Sequence, residues 1–162
     1  MKLDRTDFQI LDALQKDARI SNKELALISG VSQSTCLERV RRLKEQNILT
    51  RFHAEVDREA MGIGVEAMVS IRLRQHANID IDNLFDEIVK LQEVVSVYLL
   101  AGAVDMLVHV AVRDVKQLRD LVVDTFSARY EISQIESSLV YKFEHCHTLP
   151  NYRAESMGAK VK

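Results

Sequence analysis

The sequence predicts an α+β chain in two parts: three short helices, then the order strand, helix, strand, strand, helix, strand. Three observations carry this. Apolar residues in the first 46 positions recur at three- and four-residue intervals, the period of a half-buried helix. From Val65 to Leu73 they alternate without interruption, the period of a strand with one covered face. Between these regions Met61-Gly62-Ile63-Gly64 breaks both patterns and marks a change of direction.

The first helix is expected over Leu3–Asp17, capped by Asp4, with Phe8, Ile10, Leu11 and Leu14 on its apolar stripe. Ser21 with Glu24 three residues on makes a capping box for the second helix, in which Leu25 and Ile28 share a face. Gly30 then permits a sharp turn, and Val31 can plug the space between helices. Ser32 caps the third helix, whose Cys36, Val40 and Leu43 fall at i, i+4 and i+7. At about 100° per residue, Ser34, Glu38, Arg41, Arg42 and Glu45 point the other way, flanked by Gln33, Thr35 and Arg39.

This layout is a helix-turn-helix, whose second helix lies in the DNA major groove. Small polar residues early in that helix can read base edges, an acid can accept from cytosine, and arginines can meet phosphate or guanine. The candidate DNA-binding set is Ser32, Gln33, Ser34, Thr35, Glu38, Arg39, Arg41 and Arg42. An ordinary helical hairpin with a solvated basic face is the alternative.

After Asn47, a C-cap candidate, the run Ile48–Val56 is rich in β-formers and reads as a wing or linking strand. In the second part, Val65, Ala67, Val69, Ile71 and Leu73 face one way and Glu66, Met68, Ser70 and Arg72 the other. A helix starts at Asp80 or Asp82 and turns Leu84, Ile88 and Leu91 inward. Val94–Ala101 is a strand with Val95, Val97 and Leu99 on one face and Tyr98 and Leu100 on the other. A turn at Gly102–Asp105 leads to a strand over Met106–Val112. Asp114 caps a helix with Val115, Leu118, Leu121, Val122 and Phe126 inward, and Ile135–Phe143 is the last strand.

That order is the ferredoxin-like, split βαβ arrangement, with both helices on one face of the sheet. Met68, Tyr98 and Leu100 make the other face partly apolar, so a homodimer through this domain is expected. The expected division is a DNA-binding domain over 1–50, a linking strand and hinge over 51–64, a sensing and dimerisation domain over 65–149, and a loose tail over 150–162.

The 162 residues are 47% hydrophobic and 28% charged with net charge −2, which excludes a uniformly basic DNA-coating protein. The positive charge is local: five cations face two acids between Cys36 and Arg51. So small a footprint implies weak binding by one copy and hence an oligomer. No apolar run reaches the ~20 residues of a membrane span, and the N-terminus lacks a signal-peptide core. Cys36 and Cys146 form no spacing pattern, which suits a reducing cytoplasm without a disulfide.

Two stretches, L-D-R-T-D-F-Q-I-L-D-A-L-Q-K-D-A-R-I-S-N-K-E-L (Leu3–Leu25) and C-L-E-R-V-R-R-L (Cys36–Leu43), resemble the Lrp/AsnC family of bacterial and archaeal transcription regulators. The element order of the second part and Gly102-x-x-Asp105 resemble that family's effector-sensing domain. The resemblance implies a cytoplasmic, nucleoid-associated regulator of double-stranded DNA whose dimers assemble into tetramers or octamers. It implies no cofactor beyond a small amino acid as effector, bound near subunit interfaces. Carried over by position, the effector site falls on Leu99, Gly102, Ala103, Val104, Asp105, Leu139 and Val140. Chemically, Gly102 lets backbone N–H groups approach a carboxylate and Asp105 offers a counter-charge to an ammonium. A plain hairpin with a capping aspartate is the alternative. Ala103, Val104 and Met106 depart from the commoner family pattern and make the rim small and aliphatic, which leaves the effector unidentified.

No catalysis is expected. None of His53, His76, His109, His145 and His147 has a nucleophile or carboxylate at catalytic spacing. In Glu144-His145-Cys146-His147 a strand would converge only two nitrogens, too few for a closed zinc site. Three non-enzymatic readings are open: an effector-responsive DNA-binding regulator, an effector-independent architectural DNA-binding protein, or an amino-acid sensor acting on a protein partner.

Overall fold

The computed structural model describes residues 3–74, 80–146 and 148–155. The chain divides into two compact units. The first runs to Glu55 and takes up the chain again from Glu144; the second is Val56–Phe143.

In the first unit, α1 (Arg5–Lys16), α2 (Asn22–Ser29) and α3 (Gln33–Glu45) surround one small core of Ile10, Ala13, Leu14, Leu25, Ala26, Cys36 and Leu43. Phe8 and Leu11 are only half-buried on α1; the structure buries Asp7 in their place. The expected capping box of Ser21 with Glu24 forms, and Asp4, expected only as a cap, makes a second box with Asp7. Gly30 closes α2 in the left-handed region at φ 65°, where a side chain would be strained. The second apolar position on α2 differs from expectation. Ala26 is buried and Ile28 is exposed, because α2 ends at Ser29, whose hydroxyl turns inward to donate to the Leu25 carbonyl at 2.7 Å.

Asn47 sits at φ 54° just past α3, and the Ile48 N–H returns to the Leu43 carbonyl at 3.0 Å. The wing or linking strand expected over Ile48–Val56 does not form. Its β-formers meet no strand edge among the described residues of this unit, and β-propensity is expressed only against a partner. Instead the Lys44 ammonium lies 4.8 Å over the Phe52 ring. The stretch from Glu144 was expected to complete the second domain and then run loose. In the structure it belongs to the first unit: the Leu149 N–H donates to Gln15 Oε1 at 2.9 Å, and a short α6 (Tyr152–Glu155) follows.

The second unit is a four-stranded antiparallel sheet in the order β2-β3-β1-β4, formed by β1 (Val65–Leu73), β2 (Val94–Leu99), β3 (Met106–Val112) and β4 (Ile132–Leu139). Two helices cover one face: α4 (Ile81–Val89), capped by Asp80, and α5 (Val115–Asp120), capped by Asp114. The core between them holds Ala67, Val69, Ile71, Met106, Val108, Val110, Leu84, Ile88, Leu118 and Phe126.

Three departures from expectation have local causes. A register shift at Val94/Ser96 puts Val94, not Val95, in step with Val97 and Leu99, and leaves Val95 outside. Strand β4 runs three to four residues earlier than expected, Ile132–Leu139 in place of Ile135–Phe143, because its partner β1 begins at Val65. The last contact of that ladder is the Val140 N–H on the Glu66 carbonyl at 2.9 Å. Val115 is exposed, and α5 continues as a π-helical turn, Leu121–Phe126, in which the Ser127 N–H reaches the Val122 carbonyl. That wider turn is what brings Leu121 and Phe126, five residues apart, to the same core.

At the entrance to β1, Gly64 donates to the Val112 carbonyl at 3.0 Å, and a Cβ there would run into the Arg113 carbonyl. Gly64→Ala is expected to lower stability by about 1–3 kcal/mol, read as a lower midpoint in thermal or urea melts. Gly102→Ala, with open space around its Cα, is the matched control and should melt like the native chain.

Candidate nucleic-acid interface and ligand loop

Local chemistry seats α3. The Ser32 hydroxyl accepts from the Thr35 N–H at 3.2 Å and lies 2.9 Å from the Ser34 hydroxyl and 2.8 Å from that of Thr35. Asn22 Nδ2 donates to the Gln33 carbonyl at 3.0 Å and ties α2 to the start of α3. Cys36 and Leu43, fully buried, hold the back of the helix; burial pushes the Cys36 thiol pKa up.

On the outer side Gln33, Ser34, Thr35, Glu38 and Arg41 are exposed. Thr35, Glu38, Arg39, Arg41, Arg42 and Glu45 line a shallow depression. Arg41 makes only an exposed i,i+4 pair with Glu45, 2.8 Å from Nε to Oε1, of the kind worth a few tenths of a kcal/mol. Arg41 is therefore free to exchange that partner for a phosphate.

Arg39 and Arg42 are placed differently. Arg42 Nη2 donates to both oxygens of Asp7, at 2.8 and 3.0 Å. Arg39 Nη1 donates to Asp7 Oδ1 at 2.8 Å and to Asp4 Oδ2 at 2.7 Å. The Asp7 side chain is 1% exposed. This cluster was not legible in the sequence, since its acids and bases lie more than thirty positions apart; the Asp4/Asp7 capping spacing was its only local signal. Partial burial alone would raise the Asp4 pKa, but the N–H of Asp7 and the Arg39 guanidinium outweigh it and hold the carboxyl below its ordinary value. The same bonds, to Asp4 and Asp7, push Arg39 up.

In the second unit, the turn after β2 is pinned to β1. The Leu100 N–H donates to the Asp105 carbonyl at 2.8 Å, and the Asp105 N–H to the Ile71 carbonyl at 3.0 Å. Asp105 Oδ2 accepts from the Leu73 N–H at 2.7 Å, at the irregularity between β1 and β4. Arg72 Nε donates to the Ala103 carbonyl at 3.0 Å. Gly102 and Ala103 are exposed, Val104 and Asp105 half-buried, and Leu99 is 52% exposed beside them.

Leu139 and Val140 are not near this turn within one chain. Leu99 is in register with Met106, Ile71 and Ile135 across the sheet, and Leu139 lies four residues beyond Ile135 on the far edge strand. Three strand spacings and four residues of rise set the two groups about 20 Å apart.

The rest of the outer sheet face is mixed. Met68, Tyr98 and Leu107 are apolar and uncovered by any helix. At one end His109 is buried beneath Phe143, ring centroids 5.7 Å apart. Its Nε2 lies 2.7 Å from Glu66 Oε2, off the line of an N–H hydrogen bond. Arg58 approaches the other Glu66 oxygen at 3.2 Å and stacks 4.3 Å over Phe143. Among the described residues no three metal-ligating side chains gather; His76 and His147 lie outside the described residues. No helix among the described residues is long and apolar enough to cross a membrane.

Comparison with known proteins matches each half of the chain to one model. Residues 3–50 match a winged helix-turn-helix DNA-binding model, and residues 66–149 match an Lrp/AsnC ligand binding domain model. The HTH-type transcriptional regulator AldR of Mycolicibacterium smegmatis is 41% identical over 143 residues, 88% of this chain and 82% of its own. The leucine-responsive regulatory protein of Escherichia coli K12 is 36% identical over 123 residues, 76% of this chain and 75% of its own. A transcriptional regulator from Neisseria meningitidis, solved as a complex with L-Met, superposes with a TM-score of 0.86 at 28% identity, covering 94% of this chain and 99% of that one.

The lowered Asp4 pKa makes the first unit acid-sensitive. A carboxyl whose folded pKa lies below its unfolded value of 3.8 contributes stability above that pH and loses it as pH falls through the folded value. The thermal midpoint of this unit should therefore drop below about pH 4, and Asp4→Asn should shallow that drop, as read by circular dichroism melts from pH 7 to pH 2.5.

Proposed function

The chain belongs to the Lrp/AsnC family of DNA-binding transcriptional regulators, and from that premise we propose that it binds DNA sequence-specifically and that its assembly or DNA binding responds to a small amino acid. One observation carries the DNA reading: α3 is gripped along its back by Cys36 and Leu43 while its polar start and Arg41 stand exposed. Gln33, Ser34, Thr35 and Glu38 read base edges, and Ser32 sets their geometry as the cap. Arg41 meets the phosphate backbone.

The protein acts as a homodimer through the outer sheet face. Tyr98 is half-exposed there beside the partly exposed Leu107 and Met68, an apolar patch of the kind that marks an association surface. Pairing also brings two reading helices to one duplex, which compensates for the weak footprint of each. Assembly further accounts for the effector set. Leu139 and Val140, about 20 Å from the Gly102–Asp105 turn in one chain, can line the same pocket only across an interface between copies. The L-Met complex of the Neisseria regulator supports an amino acid as the occupant. The site of action is the cytoplasm, at the nucleoid. Tetramers or octamers would extend the same assembly along DNA.

A second reading has an observation of its own. The Asp105 carboxylate, offered above as a counter-charge for an ammonium, already accepts from Leu73. A loop fastened in this way also suits an effector-independent architectural protein.

Titration of DNA across a salt series tests the reading helix. Arg41→Ala should weaken binding on every sequence and flatten the dependence of log K on log salt by about one unit, whereas Ser34→Ala should change the preference between sequences. Neither effect would mean that α3 is not the reading helix. Calorimetry against the common amino acids should give heat with one of them, at a Kd of about micromolar to millimolar. That heat should vanish in Asp105→Asn, which keeps an acceptor for Leu73 and drops the charge; no heat with any amino acid would favour the architectural reading. Light scattering should give a dimer or larger for the native chain and a smaller species for Tyr98→Asp.

A further inference from the structure

This inference rests on the DNA-binding reading and concerns the two arginines of α3 that face α1. The helix carries four cations, Arg39, Arg41, Arg42 and Lys44, against Glu38 and Glu45. Two of the four converge on one buried carboxylate. Asp7 takes Arg42 through both oxygens and Arg39 through one, and its second oxygen also accepts the Asp4 N–H at 3.1 Å. A planar anion met by two guanidinium groups, each through a single nitrogen, resembles the way these side chains gather around a phosphate. The cluster lies at the rim of the depression shared with Thr35, Glu38 and Arg41, so it borders the surface assigned to the duplex. Arg39 and Arg42 keep 23% and 39% of their side chains exposed, so they stand within reach of a duplex with their charge already answered.

We propose that Asp7 is an internal stand-in for a phosphate, and that by occupying Arg39 and Arg42 it withholds two cations from DNA and shifts recognition from backbone attraction to base readout. Asp7 is thus a specificity-setting residue that never touches DNA. Phosphate contacts are blind to sequence, so each arginine released to the backbone raises affinity for all DNA alike and dilutes discrimination. Asp4, which shares Arg39, assists. A purely structural ion cluster makes the opposite prediction: breaking it would loosen α3 and weaken binding, with a slope no steeper than before.

The test uses the full chain and mixed-sequence duplex DNA over a potassium chloride series, with folding checked by circular dichroism. Asp7→Asn keeps the side chain's shape and removes its charge. It should bind more tightly at low salt and steepen the slope of log K against log salt by about one to two units per reading helix. Asp4→Asn, at a half-exposed cap position where asparagine serves equally well, should move the slope in the same direction by about half as much. Asp17→Asn makes the same charge change about 15 Å along α1 from Asp7 and should leave the slope at the native value. If Asp7→Asn does not fold, Asp4→Asn against Asp17→Asn decides. Native binding with slopes in Asp7→Asn and Asp4→Asn that are unchanged or shallower overturns this inference alone. A native chain that ignores duplex DNA at low salt overturns the reading on which it rests.

Discussion

A four-stranded sheet has two faces, and a βαββαβ chain supplies helices to only one of them. In the second unit α4 and α5 take the face of Val69, Ile71, Val108 and Val110, and the opposite face keeps Met68, Tyr98 and Leu107. Local devices cover one end of that face, where Phe143 and Arg58 lie over His109 and Glu66. The remainder waits for something of its own shape. In the dimer proposed above, a second copy of the chain would cover it by symmetry. The proposed pairing of reading helices, and the proposed convergence of a distant edge strand on the ligand turn, would both follow from the same unmet surface.

The first unit obeys a different constraint. Its core is too small to fix α3 by apolar contact alone: Cys36 and Leu43 are the only residues of that helix fully withdrawn from water, with Val40 half-buried. A hydrogen bond from Asn22 fixes the start of α3, while Asp4 and Asp7 take up the charge of Arg39 and Arg42 along its flank. The start of α3 is thus set by a directional polar contact as well as by packing. That suits a helix whose outer face must meet a fixed pattern of donors and acceptors.

How much of this the sequence disclosed depended on the range of each interaction. Caps and periodicity are local, so Asp4, Ser21, Ser32 and Asp114 were legible as helix starts, with Asp80 one of two candidates for α4, and the alternation of β1 was read residue by residue. Register is not local. The displaced start of β4 and the irregularity at Val95 depend on where β1 and β3 begin and end, which no window of sequence contains. The π-helical turn at Leu121–Phe126 breaks the 3.6-residue period on which helix reading relies. In the candidate site, the exposed order of Gln33, Ser34 and Thr35 followed from spacing. The capture of Arg39 and Arg42 did not, since a basic residue on an outward helix face looks the same whether its partner is a phosphate or an aspartate. Leu139 and Val140 came from resemblance alone, and the sheet order explains why spacing would never have joined them to Gly102.

The chain passes between its two units twice, outward after Glu55 and back before Glu144, so both ends of the polypeptide help to build the same small body. Shortening the polypeptide at its far end would disturb the headpiece at the opposite terminus and leave the sheet, which lies between them in sequence, intact.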